Sequence, residues 1–200
     1  MEHKLSDKRL EKGEQARTRI INAAIEIISE NGIKELSAAK LAKATAMSKS
    51  NIFHHFKSID EILMEVLNII FQELLEPLTL EYKNLEEFLN IIGQSSYNVP
   101  EEYLKVFKAF FSFYHEGMFN VEYKKTLASC TDQITNLIYK QLKQLSSGDS
   151  NEETLYSAAT IILSMMDGMG LHYLLKGDSS KYYEAWSIQT KLLLQLLSNH

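Results

Sequence analysis

Apolar residues recur along most of this chain at spacings of three, four and seven, which is the period of an amphipathic α-helix. Helix-breaking residues are sparse, since the 200 residues include two prolines and eight glycines. The pattern therefore predicts an all-α fold. In the first part of the chain it predicts helices over Gln15–Asn31, Ala38–Ala44, Lys49–His55 and Asp60–Leu75.

The rest of the chain is predicted to form longer helices. One begins near Pro100, a residue suited to the first helical turn, and others span about Leu80–Gln94, Glu122–Leu145, Glu152–Leu175 and Tyr182–Leu197. The polar segments Ser146–Ser150 and Lys176–Ser180 are predicted to be loops between them.

Capping residues mark several of the predicted helix ends. Gly32 follows the first helix and is expected to supply the left-handed backbone that ends it. Ser37 and Ser48 precede the two short helices as N-caps, and Ser58–Glu61 matches a capping box. Two short capped helices joined by Thr45–Ser48 form a candidate helix-turn-helix.

The second short helix begins with side chains suited to nucleic acid. Lys49 and Asn51 can reach base edges in the major groove, while hydroxyls and helix N–H groups can bind phosphate. Ile52 and Phe56 are expected to anchor this helix on the domain core. The spacing alone also fits an ordinary αα-hairpin of a helical bundle, so both interpretations stay open at this point.

Charge is distributed unevenly along the chain, whose net charge is −5. Residues 1–57 hold 11 Lys and Arg against 7 Asp and Glu, whereas residues 58–200 hold 10 against 19. A basic module joined to an acidic one favours a polyanionic partner for the first, although chance clustering gives the same balance.

Several classes of protein are not supported by the sequence. A single Cys130 excludes a disulfide framework and a multi-cysteine metal site, and no phosphate loop, nucleophile elbow or HExxH motif is present. Adjacent His54 and His55 point about 100° apart on a helix and cannot chelate one metal ion. We therefore expect no enzyme activity, no cofactor and no metal.

The sequence also predicts a cytoplasmic protein without a membrane partner. Its N-terminus lacks the apolar core of a signal peptide. The least charged stretch, Thr154–Leu175, still contains Asp167, and we interpret it as a buried helix.

A set of local motifs closely resembles the DNA-binding domain of the TetR family of transcriptional regulators. These motifs are Ala16–Ala24, Asn31-Gly32, Leu41-Ala42 and Ser48–Lys57. The resemblance covers about residues 14–74, and a weaker likeness to the family's penultimate helix lies at Ala158–Leu175. It implies an N-terminal three-helix domain over 14–74 with its helix-turn-helix at 37–56, a ligand-binding and dimerisation domain over 75–200, and a homodimer on a double-stranded DNA operator.

The resemblance also implies roles for individual residues. Those matching the family's phosphate contacts are Ser37, Ser48, Phe53, His54 and Lys57, and those matching its groove-facing set are Ala39, Lys40, Lys49, Ser50 and Asn51. Ala46 and Ser50 replace glycines that are usual in the family. An alanine at a turn costs about 1 kcal/mol where the backbone needs positive φ.

The second domain is expected to bind a small-molecule effector of unknown identity. Its candidate pocket residues are Phe107, Phe110, Tyr114, Met118, Met165, Met169, His172 and Tyr173. The same side chains could simply be core. Glu116 and Asp167 could face a cationic ligand, or serve equally well as helix caps or solvated residues.

The last helix is apolar on two sides, which predicts a partner for one of them. We predict that Trp186, Leu193 and Leu197 form the spare side and the dimer interface; burial of both sides within one subunit is the alternative.

Together these expectations describe a repressor released from its operator by an apolar or amphipathic ligand, although the residues do not exclude activation. The competing hypothesis is a family-like protein whose helical domain binds a protein partner, with weakened DNA binding.

Overall fold

The computed structural model describes residues 2–146 and 151–198, and the regular elements in these ranges are all helical. The predicted all-α class is confirmed. Of the predicted loop at 146–150, residues 147–150 lie outside the described residues. The α-helices are α1 (Glu2–Asn31), α2 (Ala38–Thr45), α3 (Lys49–His55), α4 (Ile59–Leu75), α5 (Leu85–Tyr97), α6 (Leu104–Gly117), α7 (Val121–Leu145), α8 (Glu152–Lys176) and α9 (Ser180–Ser198).

The first helix starts earlier than predicted, at Glu2 instead of Gln15. Residues 2–14 are rich in Glu, Lys and Arg, which have high helix propensity. They carry no apolar stripe, and the hydrophobic pattern therefore gave no signal there. At its other end, Gly32 has the expected positive φ of 85°, but its ψ of 164° is extended instead of left-handed helical. That backbone is open essentially to glycine alone.

Local caps explain where two other helices begin. The backbone N–H of Glu61 donates to Ser58 Oγ at 3.1 Å, and the Glu61 carboxylate accepts from the Lys57 N–H at 2.6 Å. The helix predicted over Leu80–Gln94 begins later because Asn84 Oδ1 caps it, accepting from the Glu87 N–H at 2.9 Å.

The chain divides into two compact units. The first unit contains the described residues up to Phe71 together with Glu102–Tyr123, and the second contains Gln72–Glu101 and the described residues from Lys124 onward. Helix α6 therefore clusters with the N-terminal helices, although it follows the predicted boundary at residue 74.

The core of the first unit is built on α1. Ile20, Ala24 and Ile28 are fully buried along one side of it. Helix α1 packs against α2, α3 and α6. Ion pairs join α6 to this body near both of its ends, from Lys105 to Glu26 and from Lys34 Nζ to Glu116 Oε1 at 3.2 Å.

The core of the second unit centres on the contact of α5 with α9. Trp186 of α9 is 1% exposed, and its indole N–H donates to the Leu89 carbonyl oxygen of α5 at 2.8 Å. Gly93, one turn further along α5, allows this approach, because a Cβ there would lie 2.1 Å from Trp186 Nε1.

Candidate nucleic-acid interface

Two serine caps define the helix-turn-helix as predicted. Ser37 Oγ accepts from the Lys40 N–H at 3.3 Å, and Ser48 Oγ accepts from the Asn51 N–H at 3.1 Å. These caps satisfy N–H groups that have no partner within their own helices. They set the start of α2 at Ala38 and of α3 at Lys49.

The turn between the two helices requires a left-handed residue. Ala46 has φ 54° and ψ 30°, and within the described residues it is the non-glycine residue with positive φ. Its N–H and that of Met47 both donate to the Ala42 carbonyl oxygen. The alanine therefore costs about 1 kcal/mol relative to glycine, as the sequence predicted for a positive-φ turn.

Helix α3 has one buried and one exposed side. Ile52 and Phe56 are 0% and 1% exposed, which confirms them as the anchor. Of the predicted DNA-contacting residues, Ser37 is half-buried, and the exposed ones are Ala39, Lys40, Ser48, Lys49, Ser50, Asn51, Phe53, His54 and Lys57. Phe53 is 44% exposed among these polar side chains. The individual roles remain predictions.

The cation of Lys40 already has a partner. Its Nζ pairs with Glu35, and this hydrogen bond and charge lower the pKa of the Glu35 carboxyl. Contact between Lys40 and DNA would have to replace this exposed pair.

The two adjacent histidines have different surroundings. Their rings meet edge to face at 5.3 Å, with His54 exposed and His55 half-buried. Burial lowers the pKa of His55, and the neighbouring charges of His54 and Arg17 lower it further. These surroundings favour the neutral form of His55, while His54 faces solvent.

Sequence reasoning gave no role to Arg17, which the structure places against α3. Its Nη1 donates to the His55 carbonyl oxygen at 2.6 Å, and its guanidinium carbon lies 4.1 Å from the Phe56 ring centroid. Its Nη2 lies 3.7 Å from a carboxylate oxygen of Glu65 in α4. The position of Arg17 within the α1 motif was the sequence feature that could have drawn attention to it. Its contacts with α3 and α4 are visible only in the folded structure.

The predicted pocket residues divide between the two units. In the first, Phe107 and Phe110 are buried, Tyr114 packs on Phe110 with ring centroids 4.8 Å apart, and Met118 is largely exposed. In the second, Met165, Met169 and Tyr173 are half-buried and His172 is exposed. The pocket remains a prediction.

Glu116 is engaged within the first unit. Its carboxylate pairs with Lys34 and lies 3.3 Å from His115 Nδ1, at the edge of a surface cleft lined by Asn31–Glu35 and Ser112. This arrangement favours a structural role for Glu116 over contact with a cationic ligand.

The structure reverses the predicted assignment of faces on α9. Trp186, Leu193 and Leu197 are 1%, 3% and 0% exposed, so they are core of the second unit and cannot be the spare side. The exposed side instead carries Ala185, Ile188, Leu192 and Leu196, and the last three are 61%, 54% and 44% exposed. Both sides are apolar at helical spacing, and packing against α5 selected the one that contains the large indole.

Helix α8 is also apolar on its outside. Ile161, Leu171 and Leu175 are exposed, although the sequence predicted a buried helix. By length and composition α8 could cross a membrane, with 28% of its most apolar window buried. One such helix is weak evidence for a membrane span, since the core helix of a soluble protein passes the same test.

Comparison with known proteins matches the first unit to one family. The family model described as "Bacterial regulatory proteins, tetR family" matches residues 20–66. HTH-type transcriptional regulator UidR of Escherichia coli (strain K12) is 41% identical over 51 residues, which cover 26% of this chain and 26% of UidR. The chain thus matches about a quarter of the length of this curated relative.

Solved structures match over nearly the whole chain. A transcriptional regulator from Rhodococcus sp. Rha1 has a TM-score of 0.77 at 18% identity, covering 90% of this chain and 96% of its own. Salmonella enterica GusR has a TM-score of 0.73 at 21% identity, covering 92% and 95%. A regulator from Saccharomonospora viridis in complex with choline has a TM-score of 0.67 at 19% identity, covering 91% and 96%.

These likenesses agree with the motifs identified along α1 to α3. The family match includes the buried stripe of α1, the left-handed turn at Ala46 and the whole of α3. The segment at residues 20–66 therefore matches the TetR family of bacterial regulatory proteins, and the fold of the described chain is similar to that of solved transcriptional regulators.

Proposed function

We propose that this protein is a sequence-specific DNA-binding transcriptional regulator that acts in the cytoplasm. The observation that carries the proposal is the two-sided construction of α3, which buries Ile52 and Phe56 and exposes Lys49, Ser50 and Asn51. A Lys side chain suits the O6 and N7 acceptors of guanine, and Asn suits the donor and acceptor of adenine. The exposed residues are therefore chemically matched to base edges in a major groove.

The remaining predicted contacts suit the phosphate backbone. Lys57 supplies a cation, and Ser48 retains its hydroxyl proton for donation because its oxygen accepts the capping bond. Ser37 adds a hydroxyl and His54 an imidazole to this set. Phe53 has no side-chain donor and is assigned to it by the family resemblance alone. Ala39 and Lys40 join the groove-facing set. The net positive charge of residues 1–57 supplies attraction to DNA that does not depend on sequence.

The active form is a homodimer. The exposed apolar sides of α9 and α8 within the second unit give it a surface that a second copy would cover. Since one helix-turn-helix reads one half-site, a two-fold dimer would read a palindromic operator.

The regulator is a repressor that a small apolar or amphipathic ligand releases from DNA. Support comes from the aromatic and methionine side chains of α6 and α8 and from the covalent path of α4, which starts within four residues of the end of α3. The choline complex of the Saccharomonospora viridis protein concerns that protein, but it makes a small-molecule effector a reasonable expectation here. Consider a ligand that binds more tightly to the conformation unable to bind DNA. At most, it lowers operator affinity by the ratio of its affinities for that conformation and for the DNA-binding one.

Alanine variants of α3 test the proposed function. An operator is first selected from random duplexes, and binding is then measured by anisotropy at several salt concentrations. Lys49→Ala and Asn51→Ala should each cost roughly 1–3 kcal/mol and relax base preference. Lys57→Ala should weaken all sequences alike and reduce the salt slope by about one.

Lys140→Ala is the matched control, because Lys140 is an exposed lysine of α7 in the second unit. It should bind like wild type. Wild-type affinity and base preference in both Lys49→Ala and Asn51→Ala would refute the assignment of α3 as the reading helix.

Effector control is tested by thermal-shift screening of apolar and amphipathic small molecules, followed by operator titration with each hit. We expect a true effector to weaken operator binding and the operator to weaken effector binding by the same factor. Tight ligands that leave operator affinity unchanged would disprove ligand release without affecting the DNA-binding proposal.

A further inference from the structure

The C-terminal end of α3 is held by one side chain from another helix. The Arg17 guanidinium of α1 donates to the carbonyl oxygen of His55, the last residue of α3. The last carbonyls of a helix have no intrahelical partner and lie at the negative end of its dipole. A cation that donates to one of them both satisfies and stabilises that end.

The same guanidinium has two further contacts. It lies over the ring of Phe56, which is 1% exposed, and pairs with Glu65 of α4. Its planar fork of donors can hold a carbonyl, a carboxylate and an aromatic face together, whereas a lysine ammonium is a single point charge. Arg17 therefore links α1, the end of α3 and α4 in one arrangement.

Such a link matters because α3 is short. It has 7 residues, about two turns, and a helix of that length has little stability of its own. Its orientation depends on its anchors, and a small rotation at His55 moves the side chains at the opposite end, Lys49 and Asn51. Base contacts tolerate little displacement, since bidentate hydrogen bonds require close alignment.

We propose that Arg17 is a positioning residue for DNA recognition, which fixes the orientation of α3 without touching DNA itself. The inference rests on the proposed function of α3. This role differs from the one proposed for Lys57, which is to meet phosphate, because the charge of Arg17 is used within the protein.

Arg17→Lys and Arg17→Gln test the proposal, with Arg19→Lys and Arg19→Gln as controls because Arg19 is exposed on the same helix. Both Arg17 variants should lose at least about tenfold in operator affinity and lose discrimination between operator and random duplex. Their salt slope should equal that of wild type, since no phosphate contact is removed. The Arg19 variants should keep the discrimination.

Hydrogen exchange on the free proteins gives a second measurement that needs no DNA. Amides of Lys49–His55 should lose protection in the Arg17 variants while those of α1 and α4 keep it.

The proposal would be overturned if Arg17→Lys, the variant better able to fold, kept the full wild-type discrimination or showed unchanged hydrogen exchange. A salt slope lower by about one with discrimination intact would instead make Arg17 a phosphate contact. Failure of wild type to prefer any duplex would refute the proposed function, while the exchange measurement would still test the positioning.

Discussion

Replacing Ile188 and Leu192 of α9 by Glu is expected to give a folded monomer with little operator affinity. Both side chains are more than half exposed in the single chain, so their loss removes no internal packing. Burying two added carboxylates across an interface has a large desolvation cost, which a dimer would avoid by dissociating. Because a monomer reads one half-site, operator affinity should fall at least about 100-fold.

Sedimentation velocity and circular dichroism, followed by operator titration, measure these effects. Gln133→Glu with Asn136→Glu is the matched control, because it adds the same charges to exposed positions of α7. Leu193→Glu is the opposite case. It places a charge in the core of the second unit and should unfold the protein instead of separating subunits. An intact dimer in the Ile188→Glu, Leu192→Glu variant would locate the interface elsewhere.

Gly93→Ala is expected to lower the free energy of unfolding by about 1–3 kcal/mol, although alanine has the higher helix propensity. The new methyl group would lie 2.1 Å from Trp186 Nε1, so the indole must move out of its site. Its hydrogen bond to the Leu89 carbonyl oxygen would then be lost as well. Thermal unfolding at a fixed protein concentration measures the change, and the single tryptophan gives a direct fluorescence signal from the affected contact.

Gly13→Ala is the matched control for that substitution. Gly13 lies inside α1 with nothing within 4 Å of an added Cβ. The alanine should leave stability unchanged or raise it by up to about 1 kcal/mol. Equal melting temperatures for Gly93→Ala and wild type would show that the close contact of α5 with α9 does not restrict residue 93.

Local chemistry explains what could be predicted from the sequence. The caps at Ser37 and Ser48, the positive φ of Gly32 and the burial of Ile52 and Phe56 each depend on a few neighbouring residues. A short capped helix with apolar residues on one side has one stable orientation on a core. For this reason α3 and its exposed residues could be predicted almost residue by residue.

The features that the sequence could not predict depend on contacts between residues far apart in the chain. The sequence by itself determined that α9 has two apolar sides, but the helical period is the same for both. Only the tertiary structure decided which is buried, because the indole of Trp186 fits the gap left by Gly93 on a helix far away in the chain. Arg17 likewise lies 38 residues from the carbonyl that it holds. The pattern along a chain indicates which residues can be buried or paired. The shape of the packed helices then determines the partner that each of them contacts.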